Sequence, residues 1–241
     1  MLLKDLLNVY KNCVVSIVGA GGKTSFMFNL AQELKPDNKV LLSTTTKIYV
    51  PTIKQYDFMS IGKKNFLRCC TSSKKGIYIY GNAINNETKI TGLNEEVLLK
   101  KLYDFDYILI EADGSKGKPL KGWRENEPVI FKGTNMTVGI IDITCLGKKI
   151  NSNNIHRVDK FLEITHSHLN EKVSLNHLLP LILHPNGLFK KALGEKILFI
   201  NKVEDTNLTV LSKILSENIK AHNYINKIIV GSLKNRTYQI L

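Results

Sequence analysis

The chain of 241 residues has no uninterrupted apolar run long enough to cross a lipid bilayer. Its first ten residues are amphipathic and lack the apolar core that a signal peptide needs. We therefore expect a cytoplasmic protein without a membrane partner. Hydrophobic residues make up 43% of the chain, and there is no repeat, low-complexity stretch or linker. These features predict one domain over residues 1–241.

Cysteine is scarce, and its four positions do not have the spacing of a metal site. Cys13 and Cys145 stand in apolar segments, which is typical of core residues. The adjacent pair Cys69 and Cys70 leaves a reactive thiol open as an alternative.

Arginine is also rare, since only 4 of the 34 basic residues are Arg. The net charge of +13 predicts an acidic partner. The alternative is a compositional bias towards Lys. Because the lysines are scattered and not interleaved with aromatic residues, nucleic-acid binding is not favoured.

Glycine, by contrast, is concentrated in residues 14–25. This segment predicts a buried β-branched strand, a tight turn and then a helix beginning at Thr24. Free backbone N–H groups at such a helix start bind phosphate, Lys23 adds positive charge, and the Thr24 hydroxyl suits Mg²⁺. The predicted phosphate-binding residues are Gly19, Ala20, Gly21, Gly22, Lys23, Thr24 and Ser25.

The spacing of this turn departs from the usual P-loop, which has four residues between its glycines. Gly19 and Gly22 are separated by two residues, and Ile17 stands where the longer pattern needs glycine. The short form Gly-x-x-Gly-Lys-Thr resembles the loop of the Mur ligases. The alternative is a glycine-rich turn with an incidental lysine.

A second apolar run, residues 107–111, ends in Glu111, and Asp113 follows two positions later. A carboxylate at the end of a strand next to a phosphate loop holds Mg²⁺ or orients the attacking water. We predict Thr24 and Glu111 as metal ligands, Lys23, Glu111 and Asp113 as catalytic residues, and Asp113 as a candidate base. Three lysines after this strand are expected to face phosphates or an acidic substrate: Lys116, Lys118 and Lys121.

Polar residues after other strands extend the predicted site. Thr45, Thr46 and Lys47 follow an apolar strand, so they are either ligand contacts or a solvated loop. Arg157 is a candidate for bidentate pairing with a phosphate.

Residues 201–205 resemble the Asn-Lys-x-Asp turn with which GTPases read guanine. Asn201, Lys202 and Glu204 would contact the base, although Glu204 is one methylene longer than aspartate. The alternative is that Asp205 caps the following helix.

Strand and helix patterns alternate along the whole chain. They predict an α/β fold, a three-layer and mostly parallel sheet of P-loop NTPase type. A small β-hairpin insertion is expected around residues 57–92.

Several of these segments together resemble the YqeC family, the group named as selenium cofactor biosynthesis or selenium-dependent hydroxylase accessory proteins. The chain departs from the family pattern at Lys118, where Arg is usual, and at Val158, where Pro is usual. The likeness spans nearly the whole chain and is carried by residues 18–25, 44–47 with Pro51, 111–121, 127–129, 156–157 and 201–205.

The resemblance implies a nucleotide-binding protein that helps to mature a selenium-dependent molybdenum hydroxylase. With the motifs, it predicts Mg²⁺ and ATP or GTP as cofactors, and hydrolysis or phosphoryl transfer as the reaction. A selenium or molybdenum cofactor and its hydroxylase are the implied partners. Two alternatives remain: a non-hydrolysing carrier or docking module for a phosphate-bearing molybdopterin-type cofactor, and a small-molecule kinase or ligase with a Mur-like loop.

Overall fold

The computed structural model describes residues 1–92 and 94–241. Its helices are α1 Leu3–Leu7, α2 Lys23–Leu34, α3 Lys63–Cys70, α4 Glu95–Leu99, α5 Val158–Thr165, α6 Leu175–Leu183 and α7 Thr206–Lys220. Its strands are β1 Cys13–Gly19, β2 Lys39–Thr44, β3 Lys47–Tyr49, β4 Phe58–Ile61, β5 Gly76–Gly81, β6 Lys89–Thr91, β7 Tyr107–Glu111, β8 Leu120–Lys121, β9 Met136–Asp142, β10 Ile155–His156, β11 Glu195–Asn201, β12 Lys227–Ser232 and β13 Thr237–Ile240.

Nine of these strands form the central sheet, in the order β13-β12-β11-β9-β1-β7-β2-β5-β4. Every neighbouring pair is parallel except β12 and β13, which are antiparallel. Helices flank the sheet, so the predicted α/β fold with a mostly parallel sheet is confirmed. This order also places the strand that ends in Glu111 directly beside the strand that leads into the glycine turn, as expected.

The core lies on both faces of the sheet, because helices cover each face. All seven residues of β1 are buried, and alternate residues face different helices. Val15 and Ile17 pack in one apolar cluster with Phe26 of α2. On the opposite face, Val18 belongs to a cluster that contains Leu178 of α6.

The β insertion expected around residues 57–92 differs in its pairing. β4 and β5, which fall in that range, join the central sheet in parallel. The antiparallel part is smaller: residues 83–91 fold back on themselves through the Ile84–Ile90 bridge, and β6 pairs with β3. This ribbon lies beyond the carboxyl end of β2, so it contributes to one wall of the cleft described below.

Within residues 1–92 and 94–241, no helix is both long enough and apolar enough to span a membrane.

Candidate functional site

The glycine turn connects β1 to α2, and the helix begins at Lys23, one residue earlier than predicted. Gly21 has φ +80°, and a Cβ there would lie 2.2 Å from Cβ of Asp142. Gly22 has φ +148°, and a Cβ there would lie 2.4 Å from Nδ2 of Asn201. Glycine is therefore required at both positions by backbone conformation and by space. The first N–H groups of α2 have no acceptor within the helix, which makes this turn suited to an anion.

Thr24 and Glu111 meet across the two adjacent strands. Ile17 of β1 lies opposite Glu111 of β7 in the parallel register. The Thr24 hydroxyl, in the first turn of α2, donates to Oε2 of Glu111 at 2.7 Å. The two residues predicted as metal ligands therefore lie side by side.

Lys23 is buried, with 4% of its surface exposed, at the tip of α2. Its ammonium donates to the Gly19 carbonyl at 2.8 Å and lies 3.3 Å from Asp113 and 3.7 Å from Glu111. Burial favours the neutral amine, but the two carboxylates outweigh it and raise the pKa of Lys23. The turn thus holds a permanently charged lysine.

At Glu111, by contrast with Lys23, burial outweighs the effect of the neighbouring charges on the pKa. Burial is the largest influence on this carboxyl and raises its pKa, although the Lys23 ammonium and the Thr24 hydroxyl favour the ionised form. A carboxylate kept this way binds a cation or a proton readily, as a metal ligand should.

Asp113 is fully buried and has a different environment from Glu111. Its Oδ2 accepts from the Gly19 N–H at 3.1 Å and from Nε1 of Trp123 at 2.8 Å, and it lies 3.1 Å from the Lys121 ammonium. Burial opposes the ionised form, but Lys23 and Lys121 overcome it and lower the pKa of Asp113. The geometry does not favour the candidate base role, because the carboxylate is enclosed below the cleft surface and its lowered pKa makes it a weaker base. It favours positioning of the turn.

Lys121 was expected to face phosphates, and the structure corrects this. Its side chain is fully enclosed, paired with Asp113 and donating to the Gly114 carbonyl at 2.8 Å. Burial lowers the pKa of Lys121 to about 8, because Asp113 only partly offsets the loss of water and Lys23 adds repulsion. This lysine supports the carboxylate beneath the turn.

A cleft of about 1490 Å³ opens at the carboxyl ends of the parallel strands, above the glycine turn. Seven basic and four acidic side chains line it, which suits a ligand with several negative charges. The structure brings many of the predicted site residues to this cleft: Gly21, Gly22, Lys23, Thr24, Ser25, Thr46, Lys47, Glu111, Lys116, Arg157, Asn201, Lys202 and Glu204.

Other predicted residues lie away from the cleft surface. Gly19 and Ala20 are buried under the turn, and the Ala20 N–H is bonded to the Ile140 carbonyl at 3.1 Å. The Thr45 hydroxyl donates to the Val129 carbonyl at 2.7 Å, which makes it a loop contact. The Lys118 ammonium donates to the Ser152 carbonyl. Thr45 and Lys118 thus contact loop carbonyls, and their predicted roles in ligand binding stay predictions.

Arg157 and Glu127 form an ion pair that the sequence did not predict. Nε of Arg157 is buried and has no hydrogen-bond partner among the described residues. His156 lines the cleft beside them, and burial together with Lys121 and Lys116 lowers its pKa to about 4, so its ring is neutral near pH 7. No local spacing signals this group, because its members come from separate loops.

The segment after β11 resolves the alternative left open for Asp205. Asp205 caps α7, since its Oδ1 accepts from the Leu208 N–H at 2.8 Å. Glu204 instead lines the cleft and accepts from the Ser232 hydroxyl at 2.7 Å. Lys202 pairs with the buried Asp142. Leu233 and Lys234 also line the cleft, and the sequence analysis did not identify them.

Among the described residues, no group of three or more His, Cys, Asp or Glu side chains forms a metal site. That outcome is compatible with magnesium, which proteins bind through one or two oxygen ligands plus substrate phosphates. The Thr24 hydroxyl and the Glu111 carboxylate are hard oxygen donors of this kind.

Comparison with known proteins places the chain in a family. A family model described as YqeC protein matches residues 15–159, which include the glycine turn, Glu111 and Arg157. A protein of Escherichia coli (strain K12), described as uncharacterized protein YqeC, is 30% identical over 238 residues. That match covers 97% of this chain and 92% of the relative. The chain therefore belongs to the YqeC family.

Proposed function

We propose that this protein binds a Mg²⁺–nucleoside triphosphate, ATP or GTP, and hydrolyses or transfers its terminal phosphoryl group. The observation that carries the proposal is the contact between the Thr24 hydroxyl and the Glu111 carboxylate at 2.7 Å, beside the charged Lys23. A site that binds phosphate together with a metal needs a glycine turn at the start of a helix and a lysine near the phosphates. It also needs a hydroxyl and a carboxylate side by side to hold the metal.

Different residues of the chain would hold the phosphates, the metal and the turn itself. The N–H groups from Gly21 to Thr24 would hold the β- and γ-phosphates, and Lys23 would neutralise charge as it builds up on the transferring group. Asp113 fixes the turn through the Gly19 N–H and keeps Lys23 charged. Thr24 and Glu111 would hold Mg²⁺, which draws electron density from the phosphate oxygens when bound.

The cleft has room for more than the phosphates. Lys116 and Arg157 also line it, and their positive charges suit an acidic second substrate or a phosphate-bearing cofactor. From the family resemblance, we further propose that this activity serves the maturation of a selenium-dependent molybdenum hydroxylase. A second reading with the same geometry is a carrier that holds the phosphate of a molybdopterin-type cofactor without hydrolysis.

Calorimetric titration tests the nucleotide site. We expect MgATP or MgGTP to bind the wild-type protein, and Lys23→Ala to lose at least about tenfold in affinity, as removal of a charged hydrogen-bond donor does. Lys213→Ala on the exposed side of α7 is the matched control, because it removes the same charge far from the cleft. If neither nucleotide binds, or if Lys23→Ala binds them unchanged, the proposal is wrong.

Phosphate release separates the enzyme from the carrier. Glu111→Gln keeps the size of the side chain but loses the charge that the metal requires. Multiple turnovers by the wild-type protein, abolished in Glu111→Gln, would exclude the carrier. Nucleotide binding without turnover under any condition would favour it.

A further inference from the structure

The carboxyl ends of β11 and β12 form a second part of the cleft, next to the glycine turn. Asn201 is 3% exposed there and connects the two parts. Its Nδ2 donates to the Gly21 carbonyl at 2.8 Å, and its Oδ1 accepts from the Leu233 N–H at 3.1 Å. One buried amide therefore fixes the spacing between the phosphate-binding turn and the segment after β12.

Glu204 projects from this second part and is held in a defined position. Its Oε1 accepts from the buried Ser232 hydroxyl at 2.7 Å. Ser232 in turn accepts from the Asn235 N–H at 3.1 Å, so its single hydrogen is committed to Glu204. Oε2 has no hydrogen-bond partner among the described residues, and Glu204 is exposed in the cleft. The carboxylate can therefore accept from a ligand.

The residues around Glu204 set it apart from a surface glutamate that faces only solvent. Lys202, Leu233 and Lys234 line the cleft around Glu204, and Asp205 is occupied in capping α7. Because Asn201 contacts both Gly21 and Leu233, a ligand whose phosphates lie at Gly21 and Gly22 has these residues within reach in the same cleft. The atoms available there are a carboxylate acceptor, lysine side chains and an apolar leucine.

We propose that Glu204 selects guanine nucleotides in this cleft, an inference that rests on the proposed nucleotide binding. Guanine presents two adjacent donors, N1–H and the 2-amino group, and an ionised carboxylate accepts both. Adenine presents an acceptor at N1 and a C–H at C2, so it would leave the carboxylate facing a lone pair. A site built around a charged acceptor discriminates strongly against such an analogue.

Calorimetric titration of GTP, ATP, ITP and XTP with Mg²⁺ tests this selection. In the wild-type protein we expect GTP to bind at least about 100-fold more tightly than ATP, because two charge-assisted hydrogen bonds are lost. ITP lacks the 2-amino group and should lie between them. Glu204→Gln should bind GTP at least about tenfold more weakly and XTP more tightly, because the glutamine amide donates to the 2-carbonyl of xanthine.

Asp205→Asn is the matched control. It removes one negative charge at the neighbouring position, and asparagine caps a helix as well as aspartate does. We expect this variant to keep the wild-type order of nucleotides. An equal loss of GTP affinity in Asp205→Asn would overturn the proposal, because net charge would then explain the effect.

The outcomes also separate this inference from the function on which it rests. GTP and ATP binding equally, both lost in Lys23→Ala, would overturn guanine selection and leave the nucleotide site intact. Unchanged GTP preference in Glu204→Gln would overturn it as well. Absence of binding by any of the four nucleotides would refute the proposed function itself.

Discussion

Glu111 and Asp113 stand two residues apart and face the same turn, yet their surroundings give them different chemistry. Glu111 contacts Thr24 and Lys23 and lines the cleft, and burial raises its pKa. Asp113 is enclosed by Gly19, Lys23, Lys121 and Trp123, and the two ammonium groups lower its pKa against burial. Glu111 is therefore placed to bind a ligand, and Asp113 is placed to hold the glycine turn and Lys23 in position.

Isosteric amides at these two positions should therefore have different effects. Asp113→Asn should lower the free energy of unfolding by about 3 kcal/mol, because it removes the buried negative charge that the Lys23 and Lys121 ammonium groups share. Glu111→Gln should cost much less stability, because ionising this carboxyl in the folded state is itself unfavourable, but it should abolish nucleotide turnover. Urea denaturation and phosphate release measure the two effects. Equal destabilisation by both variants would contradict this division.

Lys121 gives a pH-dependent prediction. Burial lowers its pKa from the ordinary value of 10.5 to about 8 in the folded protein. The unfolded chain then binds more protons between these two values, so this group makes the folded state more stable as pH rises through that range. Below pH 8, where Lys121 is protonated in both states, its burial lowers the stability of the folded state by the full amount.

Lysine-selective ¹³C NMR checks this shift directly, with Lys121→Met to assign the resonance. We expect the Lys121 resonance to titrate near pH 8, well below the ordinary lysine value of 10.5. If every lysine titrates in the ordinary range, the enclosure of Lys121 is not as described.

At the scale of elements, the turn between β1 and α2 depends on a few close approaches. Gly21→Ala would place a Cβ 2.2 Å from Asp142 and force φ +80° on a residue that disfavours it. We expect a loss of roughly 1–3 kcal/mol in the free energy of unfolding, together with loss of nucleotide affinity. Thermal denaturation and titration measure both.

Gly114→Ala is the control for this substitution. No atom lies within 4 Å of the position that its Cβ would take, and its φ is not in the left-handed range. Its stability should remain near that of the wild-type protein. A Gly21→Ala variant as stable as Gly114→Ala would show that the turn relaxes easily.

Much of the element structure follows from local sequence. The β-branched run into Gly19 and the apolar run into Glu111 predicted two buried strands, and their pairing follows from the rules for parallel sheets. The pairing of β6 with β3 was not predictable, because it depends on the path of the chain after β5, which brings β6 alongside β3. Short antiparallel strands carry little periodicity of their own.

At the scale of the whole molecule, the cleft combines residues that are distant in the chain. The glycine turn and Glu111 were found from motifs whose chemistry is contained in a few adjacent residues. The contacts of Asn201 with Gly21 and of Glu127 with Arg157 join segments far apart, so no spacing in the sequence reports them. The burial of Asp113 and Lys121 is likewise a property of the packed molecule.

The central claim is that the backbone N–H groups of the turn from Gly21 to Thr24 bind a triphosphate. Backbone amide NMR tests it most directly, by following these four N–H groups as Mg²⁺ and then GTP or ATP are added. We expect large downfield shifts of these amides with the nucleotide, as they donate to phosphate, and in Lys23→Ala we expect these shifts only at nucleotide concentrations at least about tenfold higher. Saturating nucleotide binding that leaves the four amides unmoved would contradict the account.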